Sequence, residues 1–274
     1  MIKLIATDLD NTMLDPNGLV TDETRKILAS AEALGVKLAL SSGRSINSVK
    51  GVGASIGLPY YAICYNGGLI IAPGEDGEGE DQVIYENHLD EETFRAIVEY
   101  AHEEDLYVQG YDRGVIIVEN LRTDIHPDPD LRYTEYKEVG DLLSVEYFET
   151  PKLLVSCDPE EVPRHMEGLS KRLGSRIYMA QSESYIIEIM PQGVNKGYAL
   201  NMLAKYLKIR RSQIAAFGDN TNDLPLLRAA GTAVAVQNAV DAVKEEADMI
   251  TEGTRDQGFN EAVRKLIPGV EQQA

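Results

Sequence analysis

The chain has 274 residues, of which 43% are apolar and 26% are charged, and this composition suits one large or two modest globular domains. Its formal net charge of −19 argues against nucleic acids and anionic membranes as partners, and an anionic substrate would need local cations or a metal. We expect a cytoplasmic protein, because no stretch is long and apolar enough to span a bilayer, no signal peptide opens the chain, and Cys64 and Cys157 have the setting of buried, reduced strand residues.

The first predicted strand, Ile2 to Ala6, is followed by two carboxylates. Side chains two positions apart in an extended chain point the same way, so Asp8 and Asp10 should lie close together. The carboxyl end of a strand is also where open α/β sheets place their ligands. Two carboxylates this close repel each other, which implies a shared proton or a bound cation. A solvated turn that happens to carry two acids is the alternative, and this stretch alone leaves both open.

Strands and helices then alternate along the first part of the chain. A small hairpin flap is predicted over residues 13–20, because Asn17-Gly18 lies between apolar flanks beside the acid pair. The elements that follow are a helix over 21–34, a buried strand over 36–40 that ends in Ser41-Ser42-Gly43-Arg44, a helix over 46–56 and a strand over 61–65. Alternation of this kind predicts a parallel sheet with right-handed crossovers.

The pattern changes in the middle of the chain. An acidic, glycine-rich segment over 73–81 is interpreted as a solvated hairpin tip. Its acids could also chelate calcium, but they lack the ligand order of a known calcium-binding loop. From about residue 87 to residue 190, two amphipathic helices and several strands follow an α+β order, and the polar stretch over 121–141 is not assigned. These features predict a second domain inserted into the first.

The αβ alternation resumes at Pro191. Lys196 begins a helix, and a buried strand over 213–217 runs into Gly218-Asp219-Asn220-Thr221-Asn222-Asp223. So many acids and amides at one strand-to-helix junction are costly unless something cationic binds there. Further helices and strands follow to residue 267, so the two outer segments are expected to form one domain.

Four polar clusters therefore lie at strand or helix ends of the predicted α/β domain. Singly, each has an ordinary explanation, such as a solvated lysine or a turn. In this order, however, the sequences DLDNT from Asp8, SGR from Ser42, GVNKG around Lys196 and GDNTND from Gly218 resemble the motifs of the haloacid dehalogenase superfamily of phosphohydrolases. The closest resemblance is to the Cof-type sugar phosphatases, which carry an α+β cap between the second and third motifs.

The resemblance implies both a fold and a division of the chain. The expected fold class is α/β, with a Rossmann-like doubly wound parallel sheet core and an inserted α+β cap domain. Residues 1–85 and 191–274 would form the catalytic core, and residues 86–190 would form the cap. Such a cap closes over the site as a lid and supplies the contacts that determine specificity.

The resemblance also implies roles for individual residues. Asp8 would be the nucleophile that forms an aspartyl-phosphate, and Asp10 would be the general acid and base. The Mg²⁺ ligands would come from Asp8, the backbone carbonyl of Asp10 and Asp219, while Asp223 would belong to the metal shell or orient Lys196. The residues expected to bind the phosphoryl group or the substrate are Leu9 through its amide, Thr12, Ser42, Gly43, Arg44, Lys196 and Asn222. Arg44 and Asn66 are candidates for substrate contact, and pairing with an acid of the core is an equal alternative for Arg44.

Two departures from the family pattern concern the first two motifs. Asn11 stands where most members have glycine, and asparagine tolerates a left-handed backbone better than most residues. Ser42 replaces the commoner threonine and keeps the hydroxyl group. Asp10 is absent from the dehalogenase branch, which needs no metal, so its presence here favours phosphoryl chemistry.

We therefore predict a Mg²⁺-dependent phosphatase of small phosphorylated metabolites, with sugar phosphates as the favoured substrates. The alternatives are a phosphomutase, which shares the aspartyl-phosphate, and a non-catalytic phospho-acceptor or phosphate-binding regulator. The sequence does not indicate the oligomeric state. Candidates for specificity in the cap, chosen by their chemistry alone, are Tyr111, Arg113, Arg122, Tyr185 and Glu188.

Overall fold

The computed structural model describes residues 1–74, 80–122 and 133–270, and these residues form two sheets with associated helices. In chain order the described elements are β1 (Leu4–Thr7), α1 (Asp22–Ala33), β2 (Lys37–Ser41), α2 (Ile46–Ile56), β3 (Tyr61–Cys64), β4 (Leu69–Ala72), β5 (Gln82–Glu86), α3 (Glu91–Glu103), β6 (Tyr107–Asp112), β7 (Val115–Val118), β8 (Tyr136–Glu138), β9 (Leu153–Ser156), α4 (Val162–Leu173), β10 (Ile177–Gln181), β11 (Ile186–Pro191), α5 (Lys196–Leu207), β12 (Ile214–Gly218), α6 (Leu224–Ala229), β13 (Thr232–Ala235), α7 (Asp241–Glu246), β14 (Met249–Ile250) and α8 (Arg255–Leu266).

The first sheet has the strand order β14-β13-β12-β1-β2-β3-β4-β5. The strands from β14 to β3 pair in parallel, with Leu4 of β1 opposite Lys37 of β2 and Ile214 of β12. Helices cover both faces because successive residues of a strand point to opposite sides. Ile5 belongs to the apolar cluster with α1, α2 and α8, whereas Leu4 belongs to the one with α5, α6 and α7. The predicted doubly wound α/β class is confirmed.

One edge of this sheet departs from the parallel pattern. β4 and β5 run antiparallel to their neighbours. The connection from β3 to β4 is the short 3-10 turn Tyr65–Gly67, which is too short for a parallel crossover and so forces a hairpin. The predicted hairpin tip over 73–81 lies between β4 and β5, and its residues 75–79 fall outside the described part of the chain.

The second sheet has the order β10-β11-β9-β6-β7-β8, and its pairs are antiparallel except for β7 with β8. All its strands lie in the chain between β5 and β12, within the segment predicted as α+β. Its short strand Tyr136–Glu138 falls in the stretch over 121–141 that the sequence did not assign, and residues 123–132 of that stretch are not described. Phe94 of α3 and Leu169 of α4 pack against one face of this sheet in a separate apolar cluster.

Local sequence signals explain where several helices begin and end. Thr21 accepts a hydrogen bond from the Thr24 amide at the start of α1, and Asp90 does the same for Thr93 at the start of α3. α2 ends at Gly57, whose φ of 73° is the left-handed conformation that glycine adopts without strain. Among the described residues, no helix combines the length and the apolar character that a membrane span requires.

Two local expectations from the sequence were wrong. Residues 13–20 turn back at Asn17-Gly18, where the Asp15 amide donates to the Leu19 carbonyl at 3.0 Å, but they contain no β-strands of a hairpin. The Asp15 carboxylate instead accepts hydrogen bonds from the backbone amides of Asn17 and Leu19, each at 2.8 Å, and an acidic side chain that takes these donors competes with a strand ladder. Cys157 lies one residue beyond β9 and is half-buried, because the strand ends before it; Cys64 is buried in β3 as expected.

Candidate active site

The predicted site residues meet at one edge of the first sheet. Asp8 follows β1, Ser42 follows β2 and Asp219 follows β12, and because these parallel strands are neighbours their carboxyl ends lie side by side. A cavity of about 390 Å³ opens there. The predicted residues that line it are Asp8, Asp10, Ser42, Gly43, Arg44, Asp219 and Asn222.

Lys196 lies behind this cavity and is fully buried. Its ammonium group donates to Asp8 Oδ1 and to Asp223 Oδ1, each at 2.6 Å. Asn195 fixes the start of the helix by accepting a hydrogen bond from the Tyr198 amide at 2.8 Å. Gly197 allows the helix to approach α6, since a Cβ atom there would lie 2.1 Å from the Pro225 carbonyl oxygen. The GVNKG motif therefore sets the lysine against the predicted nucleophile.

Asp223 holds the loop after β12 in place. One oxygen of its carboxylate binds Lys196, and the other accepts from the backbone amides of Asp219 at 3.0 Å and Asn220 at 3.2 Å. Asp219 in turn accepts a hydrogen bond from the Thr12 hydroxyl at 2.8 Å. Thr12 and Asp223 thus both orient groups around the predicted metal site.

Burial and neighbouring charges shift the protonation of this cluster. Burial raises the pKa of Asp8 well above its usual range; the nearby carboxylates add to this, and Lys196 partly offsets it. Burial and the charge of Asp223 raise the pKa of Asp219 to about 7. Burial lowers the pKa of Lys196, but Asp223 and Asp8 raise it by more, so the lysine remains charged.

The donor set fits a magnesium ion. Asp8, Asp219 and Asp223 each place a carboxylate oxygen within 4.8 Å of the others. All three donors are oxygen atoms, which Mg²⁺ prefers. Burial raises the pKa of Asp8 and the pKa of Asp219, so the ionisation of these two carboxylates has a cost that a bound cation would remove.

Arg44 pairs with the predicted general acid. Its guanidinium group donates to both oxygens of Asp10, at 2.7 and 2.6 Å, and a further nitrogen donates to Ser48 Oγ at 3.0 Å. Of the two partners that the sequence left open for Arg44, the structure therefore shows the acid of the core. Asn11, between Asp10 and Thr12, has a φ of 59°, which confirms the left-handed turn expected at this position.

Leu9 and Asn66 are buried and are not among the residues that line the cavity. The Leu9 side chain is fully buried, and its carbonyl accepts hydrogen bonds from the amides that follow, which closes the turn around Asp10. Asn66 is buried, has a φ of 53°, and donates to the Glu188 carboxylate while its oxygen accepts from Asn222 at 3.4 Å. The side chain of Asn66 therefore connects the fourth motif to the second sheet.

The opposite wall of the cavity comes from the second sheet. Of the specificity candidates, Tyr111, Arg122, Tyr185 and Glu188 line the cavity, whereas the Arg113 side chain is 95% exposed beside Asp112. The sequence reasoning did not identify several further lining residues, among them Tyr107, Gln109, Lys152, Leu154 and Ser156. A signal was present, because on β6 and immediately before and along β9 these residues recur with a period of two, as one face of a strand does.

A doubly wound α/β sheet that gathers an aspartate pair, a buried lysine and a magnesium-type donor set at its strand ends defines an enzyme that acts on phosphoryl groups. A family model described as haloacid dehalogenase-like hydrolase matches residues 5–263, and the chain belongs to that family.

Individual relatives agree with this assignment. The chain is 26% identical over 294 residues to the 5-amino-6-(5-phospho-D-ribitylamino)uracil phosphatase YwtE of Bacillus subtilis, and the match covers 98% of this chain and 99% of that protein. A haloacid dehalogenase-like hydrolase from Bacteroides thetaiotaomicron superposes with a TM-score of 0.83 at 29% identity, covering 97% of this chain and 100% of that one. The HAD subclass IIB sugar phosphatase BT4131 has the same fold, with a TM-score of 0.80 at 19% identity, covering 98% and 100%. The predicted class of enzyme, a phosphatase of the HAD family, is confirmed.

Proposed function

We propose that this protein is a Mg²⁺-dependent phosphatase of small phosphorylated metabolites, with phosphorylated sugars and polyols as its substrates, and that it acts through an aspartyl-phosphate on Asp8. The observation that carries the proposal is the placement of Asp8 on the cavity wall, bound from behind by Lys196 and flanked by Asp219. The phosphorylated ribityl chain of the compound for which the phosphatase YwtE is named supports this substrate class, as does the sugar phosphatase BT4131.

The reaction divides into two displacements at phosphorus. An Asp8 oxygen attacks the phosphorus atom, and the bond to the ester oxygen breaks. The leaving alcohol takes a proton from Asp10, so for this step one Asp10 oxygen must carry a proton and turn away from Arg44. A water molecule then gives a proton to Asp10 and attacks the same phosphorus atom. The bond to Asp8 breaks, and inorganic phosphate leaves.

Several groups would stabilise the charge that spreads over the phosphoryl oxygens. Ser42 and Gly43 line the cavity, and the Lys196 ammonium lies against the nucleophile. Asp8, Asp219, Asp223 and the Asp10 carbonyl would hold Mg²⁺. When bound, Mg²⁺ supplies positive charge that offsets the repulsion between these carboxylates and a phosphate dianion.

Residues 86–190 act in this proposal as a cap that closes the far side of the cavity. Ser156 lines the cavity, and its hydroxyl oxygen, which is buried, has no hydrogen-bond partner among the described residues. The net charge of −19 supports a small-molecule substrate rather than a nucleic acid. The two free thiols support the predicted cytoplasmic location.

The test measures phosphate release from a panel of hexose, pentose and polyol phosphates and an aryl phosphate, with Mg²⁺ and with EDTA. Asp8→Asn, which keeps the side-chain size, is the control. We expect metal-dependent turnover that this variant abolishes. A single phosphorylation of Asp8 without further release would identify a phospho-acceptor, and return of the phosphoryl group to another position of the substrate would identify a mutase; either result would reject the proposal.

A further inference from the structure

A buried ion pair of the second sheet contacts the loop that is proposed to bind the phosphoryl group. Lys152 donates to Glu188 Oε1 at 2.8 Å, and their side chains are only 2% and 5% exposed. The same ammonium group donates to the carbonyl oxygen of Gly43 at 2.7 Å. Neither Lys152 nor this contact has a part in the function proposed above.

The contact completes the hydrogen bonding of the loop formed by residues 42–44. The Ser42 carbonyl accepts from the Asn66 amide at 3.0 Å, and the Arg44 carbonyl accepts from the Tyr65 amide at 3.1 Å. Both of these donors belong to the first sheet's own connections. The Gly43 carbonyl, between them, accepts instead from a lysine of the second sheet.

The other member of the pair is equally close to this loop. A Cβ atom at Gly43 would lie 2.9 Å from Glu188 Oε1 and 3.3 Å from Asn66 Nδ2, so a larger residue here would displace the Glu188 carboxylate. Asn66 also donates to the Glu188 carboxylate. Two hydrogen bonds therefore cross between the sheets here: Lys152 donates one to the Gly43 carbonyl, and Glu188 accepts the other from Asn66.

Lys152 has little capacity left for a substrate. Its ammonium group donates hydrogen bonds to Gly43 and Glu188, and its nitrogen lies 4.9 Å from the centroid of the Tyr111 ring. A role in stability alone is a weak explanation, because the desolvation of a buried ion pair offsets most of its attraction. The geometry therefore favours an effect on the loop itself.

We propose that Lys152 and Glu188 are positioning residues that complete the phosphate-binding loop at Gly43 when the second sheet closes over it. The inference rests on the proposed function. If the second sheet moved away from the first, both charged groups would move with it, and the Gly43 carbonyl would lose its donor. Loop geometry and closure are thereby linked through one buried contact.

This role predicts an effect that does not depend on the leaving group. The loop faces the transferring phosphoryl group, which all substrates share, so Lys152→Met should lower kcat by about 10- to 100-fold, equally for a hexose phosphate and an aryl phosphate. Inhibition by orthovanadate should weaken in parallel. The KM for Mg²⁺ should stay within about threefold of the wild-type value, since the pair does not touch the metal ligands.

A matched control is available in the same segment. Lys171 and Glu167 also form an ion pair, but their side chains are 75% and 67% exposed on α4. Lys171→Met removes the same charge and should leave kcat unchanged.

Lys152→Met and Glu188→Gln should also be non-additive in a double-mutant cycle, because each disturbs the same contact. If the unfolding midpoint shows that Lys152→Met does not fold, Glu188→Gln alone tests the proposal. The quantity compared is then its kcat relative to that of the wild-type protein, for both substrates.

The outcomes separate the inference from the proposed function. A wild-type protein that releases no phosphate from any substrate would reject both. Wild-type turnover with a Lys152→Met kcat like that of the Lys171→Met control would reject the inference alone. A loss confined to the KM of one substrate would also reject it, because Lys152 would then contact the leaving group.

Discussion

The hydroxyl of Thr12 donates to Oδ1 of Asp219 across 2.8 Å, although 207 positions separate the two residues in the chain. Thr12 follows β1 and Asp219 follows the adjacent strand β12, so the sheet brings them together. Thr12 is fully buried behind the cavity. The hydroxyl therefore fixes which oxygen of Asp219 turns towards the predicted metal position.

Thr12→Val should weaken the binding of Mg²⁺ while it leaves the catalytic groups in place. Loss of a group that orients a metal ligand costs about 10- to 100-fold in metal affinity, and we expect the lower end because Asp219 keeps its other neighbours. Phosphate release measured against Mg²⁺ concentration should show a KM for Mg²⁺ raised about tenfold. Thr12→Ser, which retains the hydroxyl, is the control. An unchanged KM for Mg²⁺ in Thr12→Val would contradict this role.

Binding of Mg²⁺ should release protons near neutral pH. Burial and Asp223 raise the pKa of Asp219 to about 7, so below this pH the carboxyl group of the metal-free protein holds a proton that the cation must displace. Proton release should therefore be larger at pH 6 than at about pH 8.5, with Asp8 adding to it because burial also raises the pKa of Asp8, and apparent Mg²⁺ affinity should rise over the same range. Calorimetric titration in two buffers with different ionisation enthalpies measures the number of protons. Equal apparent enthalpies in both buffers at pH 6 would contradict the prediction.

The sequence was sufficient to predict the parts of the site that depend on strand ends. Asp8, Ser42 and Asp219 each follow a buried strand, and the parallel order of these strands brings them to one edge whatever the details of packing. Lys196 and the second acid of the pair could be placed because the four motifs occur in a known order. The division of the chain into core and cap stays a prediction.

Contacts between distant segments could not be predicted in the same way. Whether Arg44 meets a substrate or Asp10 depends on side-chain directions that no periodicity encodes, and the structure shows both Asp10 oxygens bound to it. The contact of Lys152 with Gly43 depends on how the two sheets face each other, which the sequence does not specify. The missing strands over 13–20 reflect a local competition, because the Asp15 carboxylate takes the Leu19 amide that a strand pair would use.

Asp10→Asn should separate substrates by their leaving groups. A general acid contributes about 10²- to 10⁴-fold, and the first displacement on a hexose phosphate should lose this factor because its alcohol needs a proton. An aryl phosphate with a good leaving group, such as dinitrophenyl phosphate, needs no proton, so its first displacement should be much less affected.

The same variant also lacks the base for the second displacement. With dinitrophenyl phosphate, stopped-flow absorbance should therefore show a burst of phenolate equal to the enzyme concentration, followed by slow turnover. Asp8→Asn, which lacks the nucleophile, is the matched control and should show no burst. A loss of equal size for both classes of substrate, without a burst, would assign Asp10 to a role other than proton transfer.

Asn11 provides a test of the turn that separates the acid pair from Thr12. Its φ of 59° lies in the left-handed region, which costs most residues about 1–2 kcal/mol and costs glycine almost nothing. Asn11→Ala should therefore lower the free energy of unfolding by about 1 kcal/mol, and Asn11→Gly should lie within about 0.5 kcal/mol of the wild-type protein. The hydrogen bond from Asn238 Nδ2 goes to the Asn11 carbonyl at 2.9 Å, so both variants can keep it.

Urea unfolding with Mg²⁺ absent isolates this backbone effect from metal binding. If the turn acts only through backbone strain, kcat for Asn11→Gly should equal that of the wild-type protein, whereas Asn11→Ala should lose activity through displacement of Asp10. Equal stability of the alanine and glycine variants would show that the left-handed turn is not what the asparagine provides. Its side chain, which borders the cavity, would then be the group to examine, since it would be positioned to contact the substrate.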